Sequence, residues 1–181
     1  MPFDREKFKK LVYYICWRCK DDPSRLGAVK LNKSLWAADF TAYVSLGAPI
    51  TGARYVKRQF GPAPSAIVPV VAELSAEGAL LVRDVAYHGK LKKEYVAHGA
   101  PPPPDFMSPA EKDIADAAID FVCDAHTAGS ISEATHDHVW KAAAEGEEIP
   151  YYTVFAKPGE LLNEDFLWGF EQLEREPQPP C

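Results

Sequence analysis

Four consecutive prolines at positions 101–104 limit this chain more sharply than any other stretch. Proline lacks a backbone N–H and holds φ near −65°, so neither a helix interior nor a central strand can run through "GAPPPPD". The run reads as a stiff polyproline spacer and as the strongest internal boundary. It also divides the charge. Residues 1–104 carry 16 Lys/Arg against 9 Asp/Glu, whereas residues 105–181 carry 4 against 17. The formal net charge of −6 therefore combines a basic half with an acidic one. Such a chain either meets a charged partner with one end or folds its two faces together so that they partly neutralise.

With 181 residues, 47% of them apolar, the chain is long enough for one core. The expected organisation is a single domain over 1–181. It comprises a basic core over 1–100, the spacer 101–104, an acidic helical part over 105–176 and a disordered tail over 177–181. No apolar run approaches the roughly 18 residues of a membrane span. The start "MPFDREKFKK" does not resemble a secretory signal. Four cysteines are too few for a disulfide scaffold. A soluble, cytoplasmic protein with reduced thiols and no membrane partner is expected.

Hydrophobic spacing supplies the elements. Phe8, Leu11, Val12, Ile15 and Cys19 recur at intervals of three and four, with Asp4 as cap, which predicts a first helix. Ala28, Leu31, Leu35, Ala38 and Ala42 form the stripe of a second, with Gly47 at its C-cap. Residues 65–77 predict a short helix with Pro69 in its first turn. The period then changes to that of a β-hairpin over 79–98, with Gly89 in its turn. Beyond the spacer, Ser108, Pro109 and Glu111 predict a capped helix, Ser130 and Glu133 a second, and Asn163 caps an amphipathic last one. The fold class expected is mainly α with one β-hairpin (α+β). The order helix, turn, helix, hairpin also allows a winged-helix arrangement.

Catalytic motifs are missing from the sequence. There is no glycine-rich phosphate loop, no Gly-x-Ser-x-Gly elbow and no His-Glu-x-x-His. Cys16-x-x-Cys19 falls at the far end of its helix, where the macrodipole raises a thiol pKa rather than lowering it. "HDH" at 136–138 does not complete a common zinc spacing with those cysteines. No enzyme activity, cofactor or metal is expected. Asp39 abuts the apolar stripe of the second helix and needs a partner, for which Arg54, Lys57 or Arg58 is the expected source.

Binding remains. "TGARYVKRQFGPAPSAI" at 51–67 is at once basic, aromatic and stiff, features that suit a partner-binding strip because ordering it costs little entropy. Within it, Gly61, Pro62 and Pro64 are expected to fix a turn that Tyr55 and Phe60 anchor against the second helix. At least one of Lys57 and Arg58 should stay exposed. An alternative is a winged-helix DNA-binding regulator with Lys90, Lys92 and Lys93 on the wing. Against it, residues 65–77 contain no Lys, Arg, Asn or Gln to read base edges.

The stretch "AVKLNKSLWAADFTAYVSLGAPITGARYVKRQFGPAPSAI" resembles the core of the SocA-like antitoxin family, the Panacea domain. Lys30, Leu31, Lys33, Leu35, Asp39, Pro49, Thr51, Gly52, Tyr55, Gly61, Pro62 and Pro64 carry the pattern. "THDHVWKAAAEGEEIPY" is similar to the family's Thr-His…Trp segment, with Thr135, His136 and Trp140. Ala63 and Trp36 depart from the residues usual there. The resemblance implies a non-catalytic antitoxin that binds a cognate toxin protein. The family's founding member also acts as an adaptor that delivers its toxin to the ClpXP protease. On that basis Tyr55, Lys57, Arg58, Gln59, His136 and Trp140 are the candidate partner-binding residues. Lys30, Lys33, Asp39, Thr51, Gly61, Pro62 and Pro64 are expected to hold the fold.

Overall fold

The computed structural model describes residues 2–156. The expected Asn163-capped helix and the tail 177–181 lie outside that range. Helix α1 (Arg5–Arg18) starts where the Asp4 side chain accepts the Lys7 N–H, and it buries Phe8, Leu11, Val12 and Ile15. Helix α2 (Ala28–Leu46) buries Leu31, Leu35, Ala38 and Ala42 along its predicted stripe. It ends at Gly47, whose φ of 78° is the left-handed conformation that a residue with a Cβ adopts only with strain. Helix α3 (Ile67–Ala76) takes Pro69 into its first turn, where the missing N–H costs nothing. Glu73 of α3 and Glu77 at its C-cap then receive Lys9 of α1, each at 2.6 Å.

The predicted hairpin is present. Strands β3 (Leu80–Tyr87) and β4 (Lys90–Ala97) pair antiparallel from Leu80↔Ala97 to Tyr87↔Lys90. His88 and Gly89 form its two-residue turn with φ of 48° and 74°, the paired positive values of a type I′ turn. A smaller second hairpin, unforeseen in the sequence, joins β1 (Tyr55–Val56) to β2 (Ala63–Pro64). The molecule is thus mainly helical with two antiparallel hairpins.

After the prolines, α4 (Pro109–Asp124) opens on the expected capping box. The Ser108 side chain accepts the Glu111 N–H, while the Glu111 carboxylate accepts the Ser108 N–H at 2.8 Å. Helix α4 packs along α2, and its Ala115, Ala118 and Ile119 join one buried cluster with residues of α1 and α2. Ion pairs seal the seam between the oppositely charged halves. Lys7 meets Glu111 at 2.7 Å, Arg18 meets Asp116, and Arg25 meets Asp124 at 3.2 Å.

The next segment corrects the sequence reading. The capping box lies one turn earlier than expected, formed by Thr127 and Ser130 rather than Ser130 and Glu133. The helix it opens, α5 (Ala128–Ala134), stops at Thr135, and Asp137 caps a separate α6 (His138–Ala142) by accepting the Trp140 N–H. The competing Asp137 cap offers the backbone an alternative to continued helix, which explains the break.

Candidate functional site

The strip 54–65 is the place where the two halves interlock. Strand β1 lies between β2 and the segment 146–149. On the outer side Lys57 N–H donates to Glu147 O at 2.8 Å, and Ile149 N–H donates to Tyr55 O at 2.9 Å. Short strands this narrow are marginal alone, so the pairing on both edges is what holds them.

Beneath the strip sits Asp39, fully buried on α2. The expected basic partner is not there. Instead Asp39 Oδ1 accepts the Thr51 N–H at 2.7 Å, and Oδ2 accepts the hydroxyls of Thr51 at 2.6 Å and Tyr55 at 2.8 Å. The Tyr151 hydroxyl adds a longer contact of 3.4 Å. Neutral donors replace a cation because the aromatic surroundings, Phe40 edge-on to Tyr55 at 5.5 Å, leave no solvated route for a second charge. Burial raises the Asp39 pKa above its ordinary value, and the hydrogen bonds from Thr51 and Tyr55 oppose that rise. Arg54 turns outward to Glu148 at 2.8 Å instead.

Lys33 is a second buried polar group, with 1% of its surface exposed. Its Nζ donates to Pro62 O at 3.2 Å, directly under the turn of the strip. Burial lowers its pKa to about 7, with Asp137 acting in the opposite direction. Gly61, at φ 96°, lies against this amine, and a Cβ there would stand 2.6 Å from Thr135 Oγ1 as well as striking Lys33. Glycine at 61 is therefore a requirement of packing as much as of backbone angle. Lys30 reaches the Cys123 carbonyl at 3.0 Å and so ties α2 to the end of α4.

Helices α5 and α6 clasp the strip from outside. Ser132 Oγ donates to Phe60 O at 3.1 Å, and Trp140 Nε1 donates to Arg58 O at 3.1 Å. Lys57 Nζ donates to Ala143 O at 2.8 Å and stands 4.3 Å from the Trp140 ring centre. His136 stacks on the same indole with ring centroids 3.7 Å apart. Burial and the nearby Lys33 charge lower the His136 pKa, which favours a neutral imidazole for that stack. The result is a layered edge, Lys57 and His136 against Trp140, built from residues some eighty positions apart.

The structure thus brings together two groups of candidates that the sequence kept separate. Arg58, Gln59 and Phe60 form the exposed rim, with Phe60 at 55% exposure. Lys57, His136 and Trp140 are half-buried behind it. Tyr55, 1% exposed, supports the strip from the Asp39 side and offers no surface to a partner. Phe60 does not anchor the turn as expected, because the turn from Arg58 to Gly61 points it outward. Sequence reasoning missed Ser132 and Ala143 as clasp residues; a backbone acceptor leaves no side-chain signature. Of the three wing lysines, Lys92 donates to Ser24 O and Lys93 pairs with Asp84 at 3.2 Å.

The described residues contain no group of three or more His, Cys, Asp or Glu side chains placed to hold a metal. Among them no helix is long and apolar enough to cross a membrane. A family model described as antitoxin SocA-like, Panacea domain, matches residues 31–141, more than half of the chain. That span opens inside α2, just ahead of Lys33 and Asp39, and closes one residue after Trp140. No curated protein and no solved structure matches the chain.

Proposed function

Because this chain belongs to the SocA-like antitoxin family of Panacea domains, we propose that it neutralises a cognate toxin by direct protein contact through the clasped strip. The observation that carries the reading is the exposed rim of Arg58, Gln59 and Phe60 mounted on the Lys57–Trp140–His136 stack. Aromatic and arginine side chains make good interface anchors, and a rim fixed by backbone hydrogen bonds at Arg58 and Phe60 loses little entropy on binding. Its role is recognition rather than catalysis.

Charge adds selectivity. Arg54 and Arg58 face solvent beside Glu148 and Glu145, at 2.8 and 3.6 Å. A partner offering carboxylates can exchange into those exposed pairs at little cost, since surface pairs are worth only about 0–1 kcal/mol. The toxin is held either to block its own active surface or for delivery to the ClpXP protease. Toxin half-life in cells with and without that protease separates the two.

The direct test is an Arg58→Glu/Phe60→Ser variant co-expressed with the cognate toxin. Neither side chain is buried, so the variant should melt within a few degrees of the parent while failing to co-purify with the toxin or rescue growth. Full rescue by this variant would place the toxin elsewhere and sink the proposal. Lys57 is a poorer choice than sequence alone suggested. Its amine holds Ala143 O and Trp140, so reversal there would disturb the clasp itself.

A further inference from the structure

A second surface, away from the clasp, is an apolar groove of about 390 Å³ between α2 and α4. One wall is Trp36, Phe40 and Val44, four residues apart on α2, and the other is Ile114, Ala117 and Phe121 on α4. Val44 and Phe121 are both about half exposed. The small residues Ala37 and Ala118 floor the groove, so a third helix backbone can approach closely. Trp36 also keeps a buried indole N–H with no acceptor among the described residues. A patch of this kind is seldom left bare on a monomer.

The path of the chain names its occupant. The turn Tyr151–Phe155 crosses α2, with Tyr151 against Phe40 at 4.8 Å and Phe155 against Tyr43 at 6.0 Å. Val154 itself lines the groove, two residues before the described chain ends. The next stretch, "KPGELLNEDFLWGFEQLERE", predicts an amphipathic helix with Leu162, Phe166, Phe170 and Leu173 on one stripe. We propose that residues 161–173 of this same chain dock in the α2–α4 groove as its cover.

Dimensions agree. From Trp36 to Val44 the α2 wall spans about 12 Å at 1.5 Å per residue, and Phe166 to Leu173 of the expected Asn163-capped helix would span about 10 Å. The link from Val154 to Leu161 reaches up to about 23 Å extended, ample to turn back onto the groove. Tethering gives an effective concentration in the millimolar range, which a weak apolar contact needs in order to stay closed.

The test uses the full chain with isotope-filtered methyl and aromatic NMR. Contacts from the Phe166 and Phe170 rings to methyl groups of Val44, Ile114 and Ala117 within one molecule are the expected result. Their absence overturns the proposal, and so does their appearance only between differently labelled copies, which would make a second copy the occupant. A Phe166→Asp/Phe170→Asp variant provides an independent readout. Its hydrophobic-dye emission should rise several-fold over the parent, while equal emission would mean that the groove already stands open. Both readouts are taken on the chain alone without toxin, so their failure is distinct from failure of the toxin-binding reading.

Discussion

At the scale of single residues, Lys33 makes the sharpest claim. Its ordinary lysine pKa of 10.5 falls to about 7 in the fold because the amine is buried under the Pro62 carbonyl. Between those two values the unfolded chain binds a proton that the folded chain does not. Stability therefore climbs as pH rises through that window, and it is lowest below about pH 7, where folding must bury an ammonium. The thiols of Cys16, raised above its ordinary value by burial, and Cys19, raised by its hydrogen bond with Cys123 and by burial, act with the opposite sign at the upper end. The useful quantity is thus the difference between the parent and Lys33→Met. Urea midpoints from pH 6.5 to 9 should rise more steeply for the parent than for the variant. Parallel profiles would show that Lys33 keeps its proton inside the fold. Sequence spacing marked Lys33 only as a motif residue. Nothing in a pattern of letters says that a lysine four residues before Ala37 points inward, since its long stem suits either face.

Elements were the most legible scale, and the reasons for the misses are local. Helices α1, α2 and α4 each combine a regular apolar stripe with an unambiguous start, so pattern and cap agree. The hairpin β3–β4 was readable from its change of period around His88-Gly89. The β1–β2 pair was not, because two-residue strands carry no alternation and owe their pairing to Ile149 and Glu147 far along the chain. At α5 two Ser/Thr residues compete as cap, and the sequence favours Ser130 because Glu133 follows at the capping-box spacing. Thr127 wins, with Ser130 in the reciprocal role. Thr127→Ala should therefore cost about 1 kcal/mol in denaturant unfolding, whereas Glu133→Ala should change little. The reverse order would restore the original reading. The clasp was half visible for the same reason. Trp140 and His136 stood out by type, but their meeting with Arg58 depends on the break at Thr135–Asp137 that sequence spacing did not foresee.

For the molecule as a whole, the division of charge finds a structural use. The basic and acidic halves face each other through Lys7–Glu111, Arg18–Asp116, Arg25–Asp124, Arg54–Glu148 and Arg58–Glu145. The first three pairs neutralise part of the asymmetry along the seam, while Arg54 and Arg58 remain at the surface. Each such pair is modest, but screening acts on all of them together. Raising sodium chloride from 0.05 to 0.5 M should lower the melting temperature by a few degrees. A flat or rising curve would mean that desolvation cancels the attraction.

The clasp also has a consequence in time. Lys57, Arg58 and Phe60 leave the ribosome long before Ala143, Trp140 and Ser132, the residues that hold them. At synthesis rates of about 5–20 residues per second, the gap is on the order of 4 to 16 seconds. Throughout that interval the nascent strip has no outer wall and no finished shape to present. A chain cut short before residue 140 never acquires one. Completion of the polypeptide is in this way built into the shape of the strip, and fragments abandoned during translation lack it.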